Sequence, residues 1–398
     1  MRTGAKKPLL LVALSTLLLG CSSGDLSSGS SAVRDSLGIR IVENGEASAG
    51  EWSVADEPLF TVGWEEGGPM FTWPQSGLIL PDGGALIGEF QDGMIYRIGA
   101  DGTVVETWGR KGEGPGEYQA LDAILLRGDS ILVSDGRMRR VTILAPDGNV
   151  RTTSQPGSFL HQASAILSDG RLLFVPGDGY GMVAETTPGW VFETQPILAV
   201  DLERETVDTL ADLPHLRRWY ATAAGSPGPI NVVGRAGGFS EGFAWARSDR
   251  PEVHWYDESG SLVQIARWDE EPMPLSSEWR DRMARIYEES YLSRGADEAF
   301  VADQLAELDV GLDRHGGPLP YWRSFVVDRQ GNAWLSEYDV AGEPSTTWRV
   351  IDRDGRMIGW IELPGVMAIL DITDDRVLTM QHDELEVPAL VMLALFKE

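Results

Sequence analysis

Three acidic residues close equivalent runs in a repeated unit. Glu89 ends Ala85-Leu86-Ile87-Gly88-Glu89, Asp135 ends Ile131-Leu132-Val133-Ser134-Asp135, and Glu337 ends Ala333-Trp334-Leu335-Ser336-Glu337. Carboxylates at matching heights of repeated strands have two uses. Converging on a common axis, they would hold a divalent cation such as calcium or act as a general base. Kept within their own repeats, they would accept hydrogen bonds from the adjoining turn or from an arginine such as Arg139 or Arg140. A feature that recurs from unit to unit favours the local use. No cofactor is expected, and calcium is the one to test.

Other chemistry-bearing patterns are weaker. Gly238-Phe239-Ser240-Glu241-Gly242 matches the nucleophile-elbow pattern, which needs a strand-to-helix turn to expose its serine; the following Phe243-Ala244-Trp245-Ala246-Arg247 alternates as a strand, so Ser240 reads as a hairpin residue. Gly112, Gly114 and Gly116 precede no helix whose N-terminal amides would cradle a phosphate. His161, His215, His254, His315 and His382 lack metal-ligand spacing. Asp147-Gly148 and Asp352-Arg353-Asp354-Gly355 lack the distal glutamate of a calcium loop and read as tight turns.

The elements that must position these residues follow from the repeat. The first run continues into Tyr96-Arg97-Ile98 and Asp101-Gly102; 46 residues later the second continues into Thr142-Ile143-Leu144 and Asp147-Gly148. The third continues into Val350-Ile351 and Asp354-Gly355 after an insertion around Gly342 to Thr346. Strand, short loop, strand, Asp-Gly turn, strand is an antiparallel sheet, and a period of 40 to 50 residues built from it indicates propeller blades. The fold class expected is all-β, a six-bladed β-propeller over 38–398, with blades near 75–110, 117–154, 160–213, 228–270, 320–363 and 365–397. The third blade is weakly marked, which leaves a seven-bladed ring as the alternative. The last blade lacks one strand, and Pro58-Leu59-Phe60-Thr61-Val62 is placed to supply it. Helical spacing of Trp279, Met283, Ile286 and Tyr287 after an N-cap at Ser277, and of Phe300, Val301, Leu305 and Leu308, marks a helical insertion over 275–312, between blades four and five.

The N-terminus supplies an address. Arg2, Lys6 and Lys7 precede an apolar run from Pro8 to Leu19, an export signal too short to span a bilayer. Leu18-Leu19-Gly20-Cys21 resembles the lipobox of bacterial lipoproteins, which implies cleavage before Cys21 and diacylation of its thiol. Cys21 is the only cysteine, so no internal disulfide can form. Residues 1–21 are thus expected to be signal and lipobox, and the Ser/Gly-rich 22–37 a flexible tether. Ser22 stands where aspartate would resemble an inner-membrane retention signal, so the outer membrane of a bacterial envelope is the expected location. Loss of three positive charges with the signal takes the net charge from −28 to about −31, which excludes nucleic acid as a partner.

Thr107-Trp108-Gly109-Arg110-Lys111-Gly112-Glu113-Gly114-Pro115-Gly116-Glu117-Tyr118, with Arg139-Arg140-Val141 downstream, resembles the NHL-type repeat. Gly38-Ile39-Arg40-Ile41-Val42-Glu43-Asn44 together with the blades resembles bacterial lipoprotein-type six-bladed propellers, a group whose shared feature is the fold. The function expected is a binding or interaction scaffold, attached to a membrane by its N-terminal lipid and offering one end of the ring to a protein, peptide or glycan. The alternative is a metal-dependent hydrolase or lyase resembling propeller lactonases, built on Glu89, Asp135 and Glu337. A third reading is an envelope-complex component docked through the helices. The oligomeric state is not legible.

Overall fold

A computed structural model describes residues 31–45, 52–63, 68–155, 161–177, 189–220, 225–226, 228–338, 346–363, 365–383 and 387–397. The chain folds as a ring of six antiparallel sheets. Five blades are continuous in sequence, at 74–109, 121–154, 161–226, 234–268 and 322–362. The sixth takes three strands from 366–397, and Phe60–Val62 completes it by pairing antiparallel with Pro388–Lys397, Leu390 opposite Val62. The ring therefore closes on a strand from near its beginning, as the short last repeat implied.

Local sequence explains the blades. In the Asp-Gly turns the aspartate accepts the N–H two residues on, Asp101 from Thr103 at 3.1 Å and Asp147 from Asn149 at 3.2 Å. Gly148 has φ +78°, and a Cβ there would lie 2.3 Å from Trp108 of the preceding blade, so backbone conformation and close approach both require glycine. The second strand of a blade is covered on both faces, hence the unbroken burial of Ala85–Glu89. Leu86, Leu121, Ile131 and Val133 form one of the seams between neighbouring blades, and Leu132, Leu172, Phe174 and Leu198 form the next. Each such side chain contributes about 1.5–3 kcal/mol by leaving water.

The tether expected over 22–37 is corrected at its C-terminal part. Ser31–Ser36 is a strand that turns at Leu37 and Gly38, both with positive φ (57° and 84°), and pairs with Ile39–Asn44. Ile39–Asn44 then lies parallel to Leu262–Trp268, so the hairpin extends the 234–268 blade at its outer edge. Buried Asn44 fixes it there. Its amide donates to the Gly355 carbonyl at 2.9 Å and its oxygen accepts the Met357 N–H at 2.9 Å, reaching the neighbouring blade. Cys21 and the export signal lie outside the described residues.

Two helices interrupt the ring. α1 (Ser277–Ser293) is capped by Ser276, one residue before the expected Ser277, and α2 (Glu298–His315) by Asp297, whose carboxylate accepts the Phe300 N–H at 2.8 Å. α2 runs past the expected boundary at 312 to a left-handed Gly316. Counted from the blade that holds Phe60–Val62, the helices fall between the fifth and sixth blades; the expectation of blades four and five started its count one blade later.

The two ends of the ring differ. Turns between first and second strands and between third and fourth strands hold two to five residues, and all lie at one end, the turn end. The strand ends joined by the long connections, 109 to 121, 176 to 189, 226 to 234 and 268 to 322, all lie at the opposite, looped end, and the last of these connections is the 53-residue stretch 269–321 with both helices.

Candidate functional site

The first strands of the six blades surround a central cavity of about 470 Å³. Its wall is polar and apolar in about equal measure, with Leu78, Ile124, Ala163 and Ile369 among its apolar residues and Gln75, Asp122, Gln162 and Ser164 among its polar ones. Gln75, Asp122 and Gln162 come from the starts of first strands, towards the looped end, and Ser164 from the middle of its strand.

β-Bulges put polar side chains there. Pairing of Leu121–Arg127 with Ser130–Asp135 sets Ala123 opposite Ser134 and Leu121 opposite Asp135, so Asp122 is the extra residue. Gln75 is extra between Pro74 and Ser76, and Ser164 between Ala163 and Ala165. The Gln162 amide donates to the Asp122 carbonyl at 2.7 Å, tying two blades together at the bulge. The Asp122 carboxyl accepts bonds from the Ser134 hydroxyl and the Gly136 N–H, while its Oδ1 is buried and has no hydrogen-bond partner. Burial, reinforced by the nearby Asp135 charge, pushes its pKa up to about 7 against the effect of those bonds. Asp122 is thus the channel group with a proton to exchange near neutrality. The reading of the sequence passed over it, although one acid in Leu121-Asp122-Ala123-Ile124-Leu125-Leu126 was a signal.

The three carboxylates singled out from the repeat behave differently. Glu89, 0% exposed, accepts the N–H groups of Thr72 (3.0 Å), Trp73 (2.8 Å) and Gln91 (3.2 Å). Asp135, 1% exposed, accepts those of Gln119 (2.6 Å), Ala120 (3.2 Å) and Met138 (2.9 Å). Each therefore fastens the connection entering its own blade. Glu337 lies exposed at the end of its strand. Among the described residues no group of three or more His, Cys, Asp or Glu is placed to hold a metal ion.

Ser240 sits in the two-residue turn between Gly234–Phe239 and Gly242–Arg247, at the turn end, without a following helix. Glu117 accepts the N–H groups of Glu113 and Gly114, so the glycine-rich loop is bound to its own carboxylate. At the turn end Arg329 pairs with Asp371 and donates to the Ile79 carbonyl at 2.9 Å, while Asp371 accepts the Ile79 N–H at 2.7 Å. Three blades meet in that contact beside the cavity.

Above the looped end, Gly189–Asp201 and Thr206–Tyr220 make a hairpin longer than any other blade strands. It carries α2. Trp190 Nε1 donates to the Arg314 carbonyl at 2.8 Å, Arg217 stacks 4.6 Å from the Trp190 ring centre, and Arg314 stacks 5.0 Å from that of Trp219. Arg217 donates to His315 Nδ1 at 2.6 Å, so Nε2 carries the proton and donates to Pro318 O at 2.8 Å. Burial, with the Arg217 charge, lowers the His315 pKa and keeps the ring neutral.

No protein-family model matches the chain, and no curated protein does. Solved structures do. A protein described as exported from Bacteroides fragilis aligns with a TM-score of 0.52 at 12% identity, covering 90% of this chain and 99% of that one. A member of the DUF4221 family from Bacteroides vulgatus aligns with a TM-score of 0.51 at 11% identity, covering 88% of this chain and 100% of that one. At such identities the likeness is one of fold.

Proposed function

We propose that the protein is a lipid-anchored component of a bacterial envelope that acts as a binding scaffold, receiving its ligand at the looped end of the ring. The observation that carries this reading is the asymmetry of the connections: turns at one end hold no more than five residues, and the added structure gathers at the other. Loops set on a rigid frame are where binding residues collect. Trp73, 52% exposed, and Met70, 85% exposed, stand on that end, and Glu89 holds the backbone of Trp73 in place. A protein, peptide or glycan is the ligand class that suits an open face with an exposed tryptophan beside a channel of mixed polar and apolar wall.

Glu89 and Asp135 have their carboxylates committed to backbone amides, which weighs against the metal-dependent hydrolase. Thermal unfolding across a panel of peptides, glycans and calcium tests the choice, since a ligand of the native state raises the midpoint with concentration. The scaffold reading expects a peptide or glycan to raise it in the wild-type protein and not in Trp73→Ala. A calcium-dependent rise that vanishes in the Glu89→Ala, Asp135→Ala, Glu337→Ala triple variant would reverse the choice.

A further inference from the structure

The described chain starts at a defined end of the ring, and that end bears on what the looped face meets. Leu262–Trp268 is the fourth strand of its blade and reaches the looped end at Trp268. Asn44 pairs with Trp268 in the parallel ladder, and Ser31 lies opposite Asn44 in the hairpin. Ser31 is therefore at the rim of the looped end. The segment between Cys21 and Ser31 leaves from the same end as the channel mouth and the helices.

From this geometry we infer that the looped end faces the lipid leaflet that holds the anchor, so that its ligand is met on the membrane side. The inference rests on the lipid-anchor reading and adds an orientation to it. Nine residues, and so ten Cα-to-Cα steps, separate Cys21 from Ser31. They reach at most roughly 35 Å when fully extended, and typically span about 18 Å as a flexible chain. Inner strands of six or so residues make the ring about 20 Å tall. With the looped end down, the tether keeps its relaxed length. With the turn end down, it must first run about 20 Å along the side of the ring, more than its relaxed span, before it meets the leaflet.

The exposed side chains of the looped end agree with a lipid neighbour. Met70, Trp73, Met273, Leu292, Phe300 and Val387 stand out on its connections and helices. Leu37, Leu59, Val104, Val150, Val207 and Phe396 are exposed towards the opposite end, but no exposed tryptophan is among them. Tryptophan and other apolar side chains suit the boundary between headgroups and acyl chains. The acidic chain repels an anionic surface, so a zwitterionic leaflet is the surface to use.

Single reporter cysteines test the orientation, because acylation consumes the thiol of Cys21. Full-length protein purified from membranes would carry Met70→Cys, Phe300→Cys or, on the turn between Asp201 and Thr206, Glu203→Cys, each labelled with a fluorophore in phosphatidylcholine vesicles containing a lipid-borne quencher. The expected result is stronger quenching at positions 70 and 300 than at 203, and loss of that difference when a flexible Gly/Ser segment long enough to span about 35 Å is inserted before Ser31. Equal or reversed quenching in vesicle-bound protein overturns the orientation while leaving the anchor intact. Absence of acyl mass on Cys21, with no vesicle binding, overturns the anchor reading and this one with it.

Discussion

Asp122 and Asp135 meet at one bulge, yet the backbone provides for them unequally. Asp135 accepts three N–H groups, whereas Asp122 keeps a buried oxygen without a partner and feels its neighbour's charge. Asp135 is built into the blade, and Asp122 is left with a raised pKa.

A pH dependence follows. The folded-state pKa of Asp122, about 7, lies above the ordinary aspartate value near 3.9, so the native state binds more protons between those pH values. Stability from this group is present in full below about pH 4 and is lost as pH rises through 7. Asp122→Asn removes the charge and keeps the shape. The variant is expected to match the wild type near pH 4 and to exceed it at pH 8 by on the order of 1–3 kcal/mol, read from urea midpoints at the two pH values. A wild-type advantage at pH 8 would contradict the burial argument.

The three repeat carboxylates should separate in a stability assay. Glu89→Ala and Asp135→Ala each orphan three backbone donors in or beside the core, and each is expected to cost about 2–4 kcal/mol. Glu337→Ala, at an exposed position, is expected to cost less than about 1 kcal/mol. Denaturant unfolding of the single variants checks the order.

The same contrast shows how far the sequence could be followed. Hairpins with Asp-Gly turns are local, so strand order within a blade could be read from spacing alone, whereas the weakly marked third blade left a seven-bladed ring open beside the six-bladed one. The alignment also held in two blades, where Phe90 and Gly136 donate to the equivalent carbonyls of Trp73 and Ala120. At the third such position, beside Glu337, the residue entering the blade, Tyr321, donates its N–H to the Ser248 carbonyl in the preceding blade instead. That choice depends on how the 53-residue connection returns to the ring, which no repeat encodes. Asp122 was hidden for a related reason: a bulge is an offset between two strands and appears only once they are paired. Ser31–Ser36 is nearly all exposed and lacks the alternation that marks a half-buried strand, so a polar tether was the natural reading.

The hairpin so concealed has a measurable role. Asn44 joins it to Arg267 of its own blade and, through Gly355 and Met357, to the next. Asn44→Ala leaves buried partners unpaired and is expected to cost about 1–3 kcal/mol, seen as a lower thermal midpoint. Leu37→Ala, at the fully exposed turn, touches none of these bonds and serves as the neutral control.

Glu252 gives a prediction of opposite sign to Asp122. Hydrogen bonds from His254 and Arg267, with their charges, hold its pKa down to about 2 against the effect of burial. Its contribution is therefore present above the unfolded value near 4.3 and is lost as pH falls towards 2. Glu252→Gln is expected to be less stable than the wild type at pH 7 by about 1–2 kcal/mol, and the gap should close on acidification. Because Asp122 loses its contribution as pH rises through 7 while Glu252 loses its own as pH falls below about 4, the Asp122→Asn, Glu252→Gln double variant should show the sum of two separate pH profiles. The two residues belong to different blades, Leu121–Arg127 and Glu252–Asp257, and additivity within about 0.5 kcal/mol is the expected result. A larger departure would mean that the two blades are coupled electrostatically through the ring.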